Sequence, residues 1–168
     1  MKELLNENDI KRALTRITHE ILENNDNIDD LVLVGIKTRG EYLMNRIASN
    51  IKKFEDIAVD TIALDIKFWR DDSRKTDVEP IIDYDFSNKK VVLIDDVLFG
   101  GRTIRAAMDG IITNGRPKTI QLAVLIDRGH REFPIRADFV GKNIPTSQKE
   151  RVTVRLAEFD EIDQVTLT

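Results

Sequence analysis

The sequence predicts an α/β fold, a parallel sheet flanked by helices, and two observations carry that prediction. Apolar runs such as Leu31-Val32-Leu33-Val34, Val91-Val92-Leu93-Ile94 and Leu122-Ala123-Val124-Leu125-Ile126 have the length and composition of strands covered on both faces. Between them lie longer segments whose apolar residues recur at helical spacing, so strand–helix–strand order occurs twice. Units of that order close as right-handed crossovers between parallel strands. At 168 residues the chain is expected to form one domain, residues 1–168, with a core that needs no staples.

The first helix is expected over residues 9–23. Ile10, Ala13, Leu14, Ile17, Ile21 and Leu22 fall on one face, and Asp9 is placed to cap its start. A polar break over residues 24–30 leads to the first buried strand, which closes at Gly35-Ile36. The loop Lys37-Thr38-Arg39-Gly40 follows, then a helix with Leu43, Met44, Ile47, Ala48 and Ile51 on one face. Residues 57–66 alternate in part, through Ile62, Leu64 and Ile66, and read as a strand. Residues 68–85 are charged, carry Pro80 and read as a loop or loose hairpin. The strand at residues 91–94 is closed by Asp95-Asp96. A helix is expected over residues 103–114, with Gly115 as its C-cap and Pro117 just beyond. Residues 120–126 make the third buried strand, and residues 152–156 and 165–167 are short β candidates.

Composition excludes several functions. The 26 Lys+Arg against 30 Asp+Glu leave a net charge of −4, which argues against a binder whose whole surface is basic. Local patches remain open. Lys11, Arg12 and Arg16 stand in a stretch without acids, and residues 127–155 carry seven bases against four acids. The tail beyond Leu156 is purely acidic. With no cysteine there is no disulfide framework, thiolate zinc site or cysteine nucleophile. No apolar run is long enough to span a bilayer, and Met1-Lys2-Glu3 does not open a secretory signal, so a cytoplasmic location is expected.

Ligands of open parallel sheets bind beyond the carboxyl ends of the strands. The most informative segment leaves that edge: Asp95-Asp96-Val97-Leu98-Phe99-Gly100-Gly101-Arg102-Thr103. Glycines let backbone approach a ligand, and the free amides of a turn and helix start form an anion nest. Adjacent carboxylates would repel a phosphate, but they suit sugar hydroxyls or a hydrated Mg²⁺. A phosphorylated sugar satisfies both halves. The Walker pattern and Gly-x-Gly-x-x-Gly are absent, which argues against an ATPase or a dinucleotide fold. The bland alternative is a strand end followed by a helix cap, with Lys37, Arg39 and Arg70 as ordinary solvated charges.

This segment resembles the signature of type I phosphoribosyltransferases. Over nearly the whole chain, in order, the sequence is similar to the PyrR family. Leu33-Val34-Gly35-Ile36-Lys37-Thr38-Arg39-Gly40 resembles that family's pyrophosphate loop, and Ile66-Lys67-Phe68-Trp69-Arg70-Asp71-Asp72 its hood loop. Ile120-Gln121-Leu122-Ala123-Val124-Leu125-Ile126-Asp127-Arg128-Gly129-His130-Arg131-Glu132-Phe133-Pro134-Ile135-Arg136-Ala137-Asp138 resembles its base-binding region, and Gly141-Lys142-Asn143-Ile144-Pro145-Thr146 follows in register. One departure is visible. The family loop reads Tyr-Thr-Gly-Arg-Thr where this chain has Phe99-Gly100-Gly101-Arg102-Thr103, so a hydroxyl is missing at Gly100.

The resemblance implies a type I phosphoribosyltransferase fold with a small hood. It implies transfer of phosphoribose from 5-phosphoribosyl 1-diphosphate to uracil, giving UMP and pyrophosphate. Asp95, Asp96 and Arg39 are then the residues assigned to catalysis. Val97, Leu98, Phe99, Gly100, Gly101, Arg102 and Thr103 hold the phosphoribosyl group, and Thr38, Arg39, Gly40 and Arg70 hold pyrophosphate. Ile126, Asp127 and Arg128 lie at the base. Mg²⁺ enters with the substrate, near Asp95 and Asp96. The resemblance also implies a homodimer or homotetramer, and a UMP-responsive regulator of pyrimidine genes that binds leader mRNA. Candidate RNA contacts are Thr15, Arg16, His19, Arg136, Lys142 and Arg151, all within or beside the basic stretches. Two alternatives stay open: an RNA-binding regulator with little or no catalysis, and a phosphoribosyltransferase for another base.

Overall fold

The computed structural model describes residues 1–71 and 78–168. Asp72, at the end of the hood-loop motif, lies outside the described residues. The elements in chain order are β1 (Lys2–Leu5), α1 (Glu7–Glu23), β2 (Leu31–Ile36), α2 (Arg39–Glu55), β3 (Asp60–Leu64), β4 (Lys90–Leu98) and α3 (Arg102–Thr113). There follow β5 (Thr119–Asp127), β6 (Phe139–Asn143), β7 (Val152–Arg155), α4 (Ala157–Asp160) and β8 (Gln164–Leu167). Five strands form a parallel sheet in the order β3-β2-β4-β5-β6. The other three form a small antiparallel sheet in the order β1-β8-β7.

The apolar runs are strands because helices cover both faces of the large sheet. Leu31, Leu33, Val92, Ile94, Ala123 and Leu125 point to one face, with Ile10, Leu14, Ile17, Leu43 and Ile47 of α1 and α2. Their neighbours Val32, Val34, Val91, Leu93, Leu122 and Val124 point to the other, with Ile104, Ala107 and Ile111 of α3. The period of two is therefore hidden inside a continuous apolar run. The small sheet joins the first of these cores through Leu5, Val154, Leu156 and Val165.

Several boundaries differ from expectation for physical reasons. Helix α1 starts earlier because Asn6, not Asp9, is its N-cap. Asp9 N–H donates to Asn6 Oδ1 (2.9 Å) and Asn6 N–H to Asp9 Oδ2 (3.0 Å), a reciprocal capping box. Strand β4 runs on through Asp95 and Asp96 to Leu98, because its ladder with β5 continues to the Leu98–Asp127 pair. Strand β3 keeps only residues 60–64, the stretch that β2 can pair. Helix α3 ends at Thr113 with Asn114 as C-cap, and Gly115 follows at φ +137°. Strands β1 and β6 and helix α4 carry too little apolar pattern to be read from sequence. Among the described residues no helix is long and apolar enough to cross a membrane.

Candidate active site

The carboxyl ends of β2 and β4 open into a cavity of about 670 Å³. Thr38, Arg39, Arg70, Asp95, Asp96, Val97 and Thr103 line it, together with Ile36, Lys37, Asp65, Ile66 and Lys67. A smaller cavity of about 290 Å³ adjoins it, lined by residues 97–104, Arg70 and Glu132. Arg70, Val97 and Thr103 border both, and Arg70 Nη1 donates to Thr103 Oγ1 at 3.2 Å. The expected phosphoribosyl and pyrophosphate residues therefore surround two connected spaces, except Gly40, which lines neither.

Gly40 acts instead through close packing. A Cβ there would lie 2.5 Å from the Ile94 carbonyl oxygen, so only glycine lets the loop after β2 settle on β4. The Lys37–Thr38 peptide in that loop is cis. Gly101 supplies the second backbone requirement: it caps α3 at φ +98°, a conformation that favours glycine. The turn puts the first residues of α3, Arg102, Thr103 and Ile104, on the wall of the smaller cavity, and the amides of that first turn are the helix's free donors. These amides have no partner within the helix, and they lie at the positive end of its dipole.

The acidic pair is set into the strand end. Asp95 is buried, and its Oδ1 accepts from the Asp96 N–H at 2.9 Å. Asp96 Oδ1 accepts from the Val97 N–H at 2.8 Å. Burial first, and then the Asp96 charge, hold the Asp95 carboxyl well above the usual carboxylate range. Arg39 faces this pair from the first turn of α2, and Asp160 engages it through two hydrogen bonds, to Nε (3.0 Å) and Nη2 (2.7 Å). The hydrogen bonds to Asp160 push its guanidinium pKa up, with a smaller contribution from Asp96. Asp160 could not have been assigned from motif spacing, since 121 positions separate it from Arg39.

Asp95, Asp96 and Asp65 offer hard oxygen donors around the larger cavity. Among the described residues no three His, Asp or Glu side chains come close enough to cage a metal. That set fits a cation carried largely by its substrate and by water, the usual condition of Mg²⁺.

The expected base residues lie differently. Ile126, Asp127 and Arg128 line neither cavity. Ile126 is in the core. Asp127 accepts from Gly129 N–H and from Arg131 Nη2, both at 2.8 Å. Arg128 donates to Thr146 Oγ1 (2.9 Å) and to the Ser147 carbonyl (3.2 Å), and its guanidinium lies 4.0 Å from the Phe99 ring centre. Burial lowers its pKa. His130 meets the Thr146 carbonyl oxygen through Nε2. These side chains build the turn after β5, and its backbone is paired as well: the Arg128 N–H donates to the Leu98 carbonyl at 3.0 Å and the Asp127 carbonyl accepts from the Ile144 N–H at 2.9 Å.

Arg102 is also engaged. It pairs with Glu132 and, at 2.9 Å, with Asp71, and lies over the Phe133 ring. Glu132, another residue that sequence reasoning missed, stands beside Gly100 at the mouth of the smaller cavity.

The basic candidates fall into separate groups. Thr15, Arg16 and His19 lie together along α1 and border a shallow groove with Lys11 and Arg12. Thr15 Oγ1 is turned back to the Lys11 carbonyl at 3.0 Å. Arg16 reaches β6, donating to the carbonyls of Val140 (3.1 Å) and Gly141 (2.6 Å); Lys142, the next residue of that strand, is exposed. His19 stacks on Phe54 with ring centres 4.5 Å apart, an aromatic partner that the sequence pattern did not reveal. Arg136 and Arg151 are exposed, and no side-chain contact among the described residues joins them to this group.

Comparison with known proteins agrees with this geometry. The family profile for the phosphoribosyl transferase domain matches residues 1–158. A relative from Clostridioides difficile (strain 630), named bifunctional protein PyrR, is 55% identical over 170 residues, covering 98% of this chain and 96% of its own. The bifunctional protein PyrR of Clostridium novyi (strain NT) is 54% identical over 96% of this chain and 94% of its own. Among solved structures, a hypoxanthine phosphoribosyltransferase from Staphylococcus aureus superposes with a TM-score of 0.75 at 20% identity, over 98% of this chain and 90% of its own. That of Trypanosoma cruzi gives 0.77 at 17% identity, over 99% and 95%. The two structures share the fold, and the relatives share more than half of the residues from end to end. The chain belongs to the PyrR family of phosphoribosyltransferases.

Proposed function

We propose that the protein joins uracil to 5-phosphoribosyl 1-diphosphate, giving UMP and pyrophosphate. We propose also that it regulates pyrimidine genes by binding leader mRNA when UMP is present. One observation carries the enzymatic half. The buried acidic pair, the α3 amides and the Thr38-Arg39 loop converge on two joined cavities at one sheet edge. That arrangement has separate places for a ribose, a 5′-phosphate and a pyrophosphate. The reading takes residues 1–168 as one phosphoribosyltransferase domain.

The bond between uracil N1 and C1′ forms as the C1′–oxygen bond to pyrophosphate breaks, and the N1 proton leaves. Positive charge grows on the ribose as the leaving group departs. Asp95 and Asp96 hold the ribose hydroxyls and stabilise that charge. The amides from Val97 to Thr103 and the Thr103 hydroxyl hold the 5′-phosphate. Thr38, Arg39 and Arg70 hold the pyrophosphate, with charge-assisted bonds from the two arginines. Mg²⁺, held by the substrate near Asp95 and Asp96, supplies charge neutralisation when bound. Uracil is assigned to the end of β5, beside Ile126, Asp127 and Arg128, whose side chains are already engaged within the protein.

The test is Mg²⁺-dependent formation of UMP across a panel of bases. Uracil alone should turn over, and Asp95→Asn with Asp96→Asn should abolish it. Turnover that persists in that variant sinks the site, and preference for a purine sinks the base assignment. The regulatory half rests on the α1 face, where Thr15, Arg16 and His19 gather beside the β6 strand that carries exposed Lys142, and on the bifunctional naming of the relatives. Salt-sensitive, UMP-enhanced binding to a pyrimidine-operon leader RNA should weaken in Arg16→Ala. Sedimentation equilibrium checks the accompanying expectation of a homodimer or homotetramer.

A further inference from the structure

The geometry points to Asp160 as a positioning residue for Arg39, acting from the small sheet on the pyrophosphate side of the site. The inference rests on the role given to Arg39 above and names what makes that role possible.

Arg39 is a long side chain at the start of a helix, and in isolation it would sample many rotamers. Here one edge of its guanidinium is taken. Asp160 accepts from Nε at 3.0 Å and from Nη2 at 2.7 Å. The Phe159 ring centre lies 5.3 Å from the guanidinium carbon and restrains its plane, and Tyr42 stacks against Phe159 at 6.5 Å. The opposite edge is left: among the described residues Nη1 has no hydrogen-bond partner, and Arg39 lines the larger cavity with Asp96. A guanidinium held on one edge presents the other as a fixed fork, the geometry that recognises phosphate oxygens.

Asp160 is itself anchored. Its Oδ2 accepts from the Leu156 N–H at 2.8 Å, and its own N–H donates to the Leu156 carbonyl at 2.7 Å. Two turns further along α2, Arg46 repeats the device. It donates to Asp163 at 2.9 and 2.8 Å and pairs with Glu158. The acidic tail therefore docks the β7–β8 connection onto the basic edge of α2 at two points. One point is remote from the cavity, and the other ends on the pyrophosphate arginine. A carboxylate fixed by backbone in this way supports Arg39 as the site fills. A mobile carboxylate would instead compete with the incoming pyrophosphate.

The test is steady-state kinetics on the full-length protein. Asp160→Asn should raise KM for 5-phosphoribosyl 1-diphosphate about 10-fold, with kcat and KM for uracil within about twofold. Asp160→Glu should recover part of the loss. Arg39→Ala should raise the same KM, and the double variant should be no worse than Arg39→Ala alone. Glu158→Gln loosens the remote docking point and should leave KM unchanged, which separates positioning from general loosening of the tail. If Arg39→Ala raises KM but Asp160→Asn leaves it unchanged or lowers it, or if the two effects add, the inference is overturned. If Arg39→Ala leaves KM unchanged, the pyrophosphate assignment of Arg39 fails first.

Discussion

Replacing Gly100 with threonine should tighten the hold on 5-phosphoribosyl 1-diphosphate, by an amount that Glu132 controls. Related loops offer a hydroxyl to the 5′-phosphate at this position, and this chain does not. One restored hydrogen bond contributes roughly 0.5–1.5 kcal/mol, which at about 1.4 kcal/mol per factor of ten lowers KM by about 2- to 12-fold. The backbone permits the change, because Gly100 is not among the glycines with positive φ. Space is the obstacle. A Cβ at residue 100 would lie 3.1 Å from Glu132 Cδ and 3.3 Å from its Cγ, so Glu132 must move by a few tenths of an ångström. Its side chain is 57% exposed and, among the described residues, tied only to Arg102 at the surface, so it can turn into solvent. Gly100→Thr alone should then gain part of the factor, and the full factor should appear once Glu132→Ala clears the space. The proper comparison is the double variant against Glu132→Ala, since removing an acid beside the cradle changes phosphate affinity by itself. Initial rates of UMP formation at saturating uracil, with the phosphoribosyl donor varied, measure it. A KM in the double variant equal to or above that of Glu132→Ala refutes the placement of the 5′-phosphate at residue 100.

Three further outcomes are expected. Asp95 binds its proton more tightly folded than unfolded, so the stability it lends at low pH is lost as pH rises through its raised pKa. Asp95→Asn, neutral throughout, should therefore gain in Tm over the parent as pH increases, while losing activity; a gain that shrinks with pH contradicts the buried-acid account. Trp69, the chain's one tryptophan, packs on Gly110 of α3, where a Cβ would meet its ring at 3.0 Å. Gly110→Ala should shift the fluorescence maximum and, by disturbing Arg70 next to it, raise KM for the phosphoribosyl donor by about 2- to 5-fold; unchanged emission would mean that the ring does not rest there in solution. Lys142→Ala should lower the slope of log affinity against log salt for leader RNA by about 0.7–0.9 with kcat intact, and an identical slope removes Lys142 from the RNA face.

Sequence carried the central strands and the cradle because both are local. Residues 91–103 hold a buried strand, two acids, a glycine turn and a helix start in one unbroken run, and each part has its own composition. Edge elements were harder. Strand β6, Phe139-Val140-Gly141-Lys142-Asn143, is apolar for two residues only, since one neighbour strand and the Arg16 side chain satisfy most of what it needs. The capping box at Asn6 escaped because Asp9 alone looked sufficient. Partners distant in sequence could not be read at all. Asp160 meets Arg39, Glu132 meets Arg102 and Phe54 meets His19 only after the chain has folded. The base region shows the same limit from the other side. A motif located the turn after β5, but the side chains of Asp127 and Arg128 are directed into the turn itself.

The strand order of the small sheet has a consequence for how the molecule is made. Strand β8 is its middle strand, so β1 and β7 both wait for residues 164–167 before either can pair. The parallel sheet needs nothing beyond Asn143. A chain leaving the ribosome can thus assemble the acidic pair and the glycine turn while strand β1 is still unpaired. The carboxylate that bonds Arg39 follows the whole parallel sheet in the chain, in the connection between β7 and β8. The acidic pair and the glycine turn can therefore be set before Asp160 reaches Arg39, and that ion pair forms together with the small sheet.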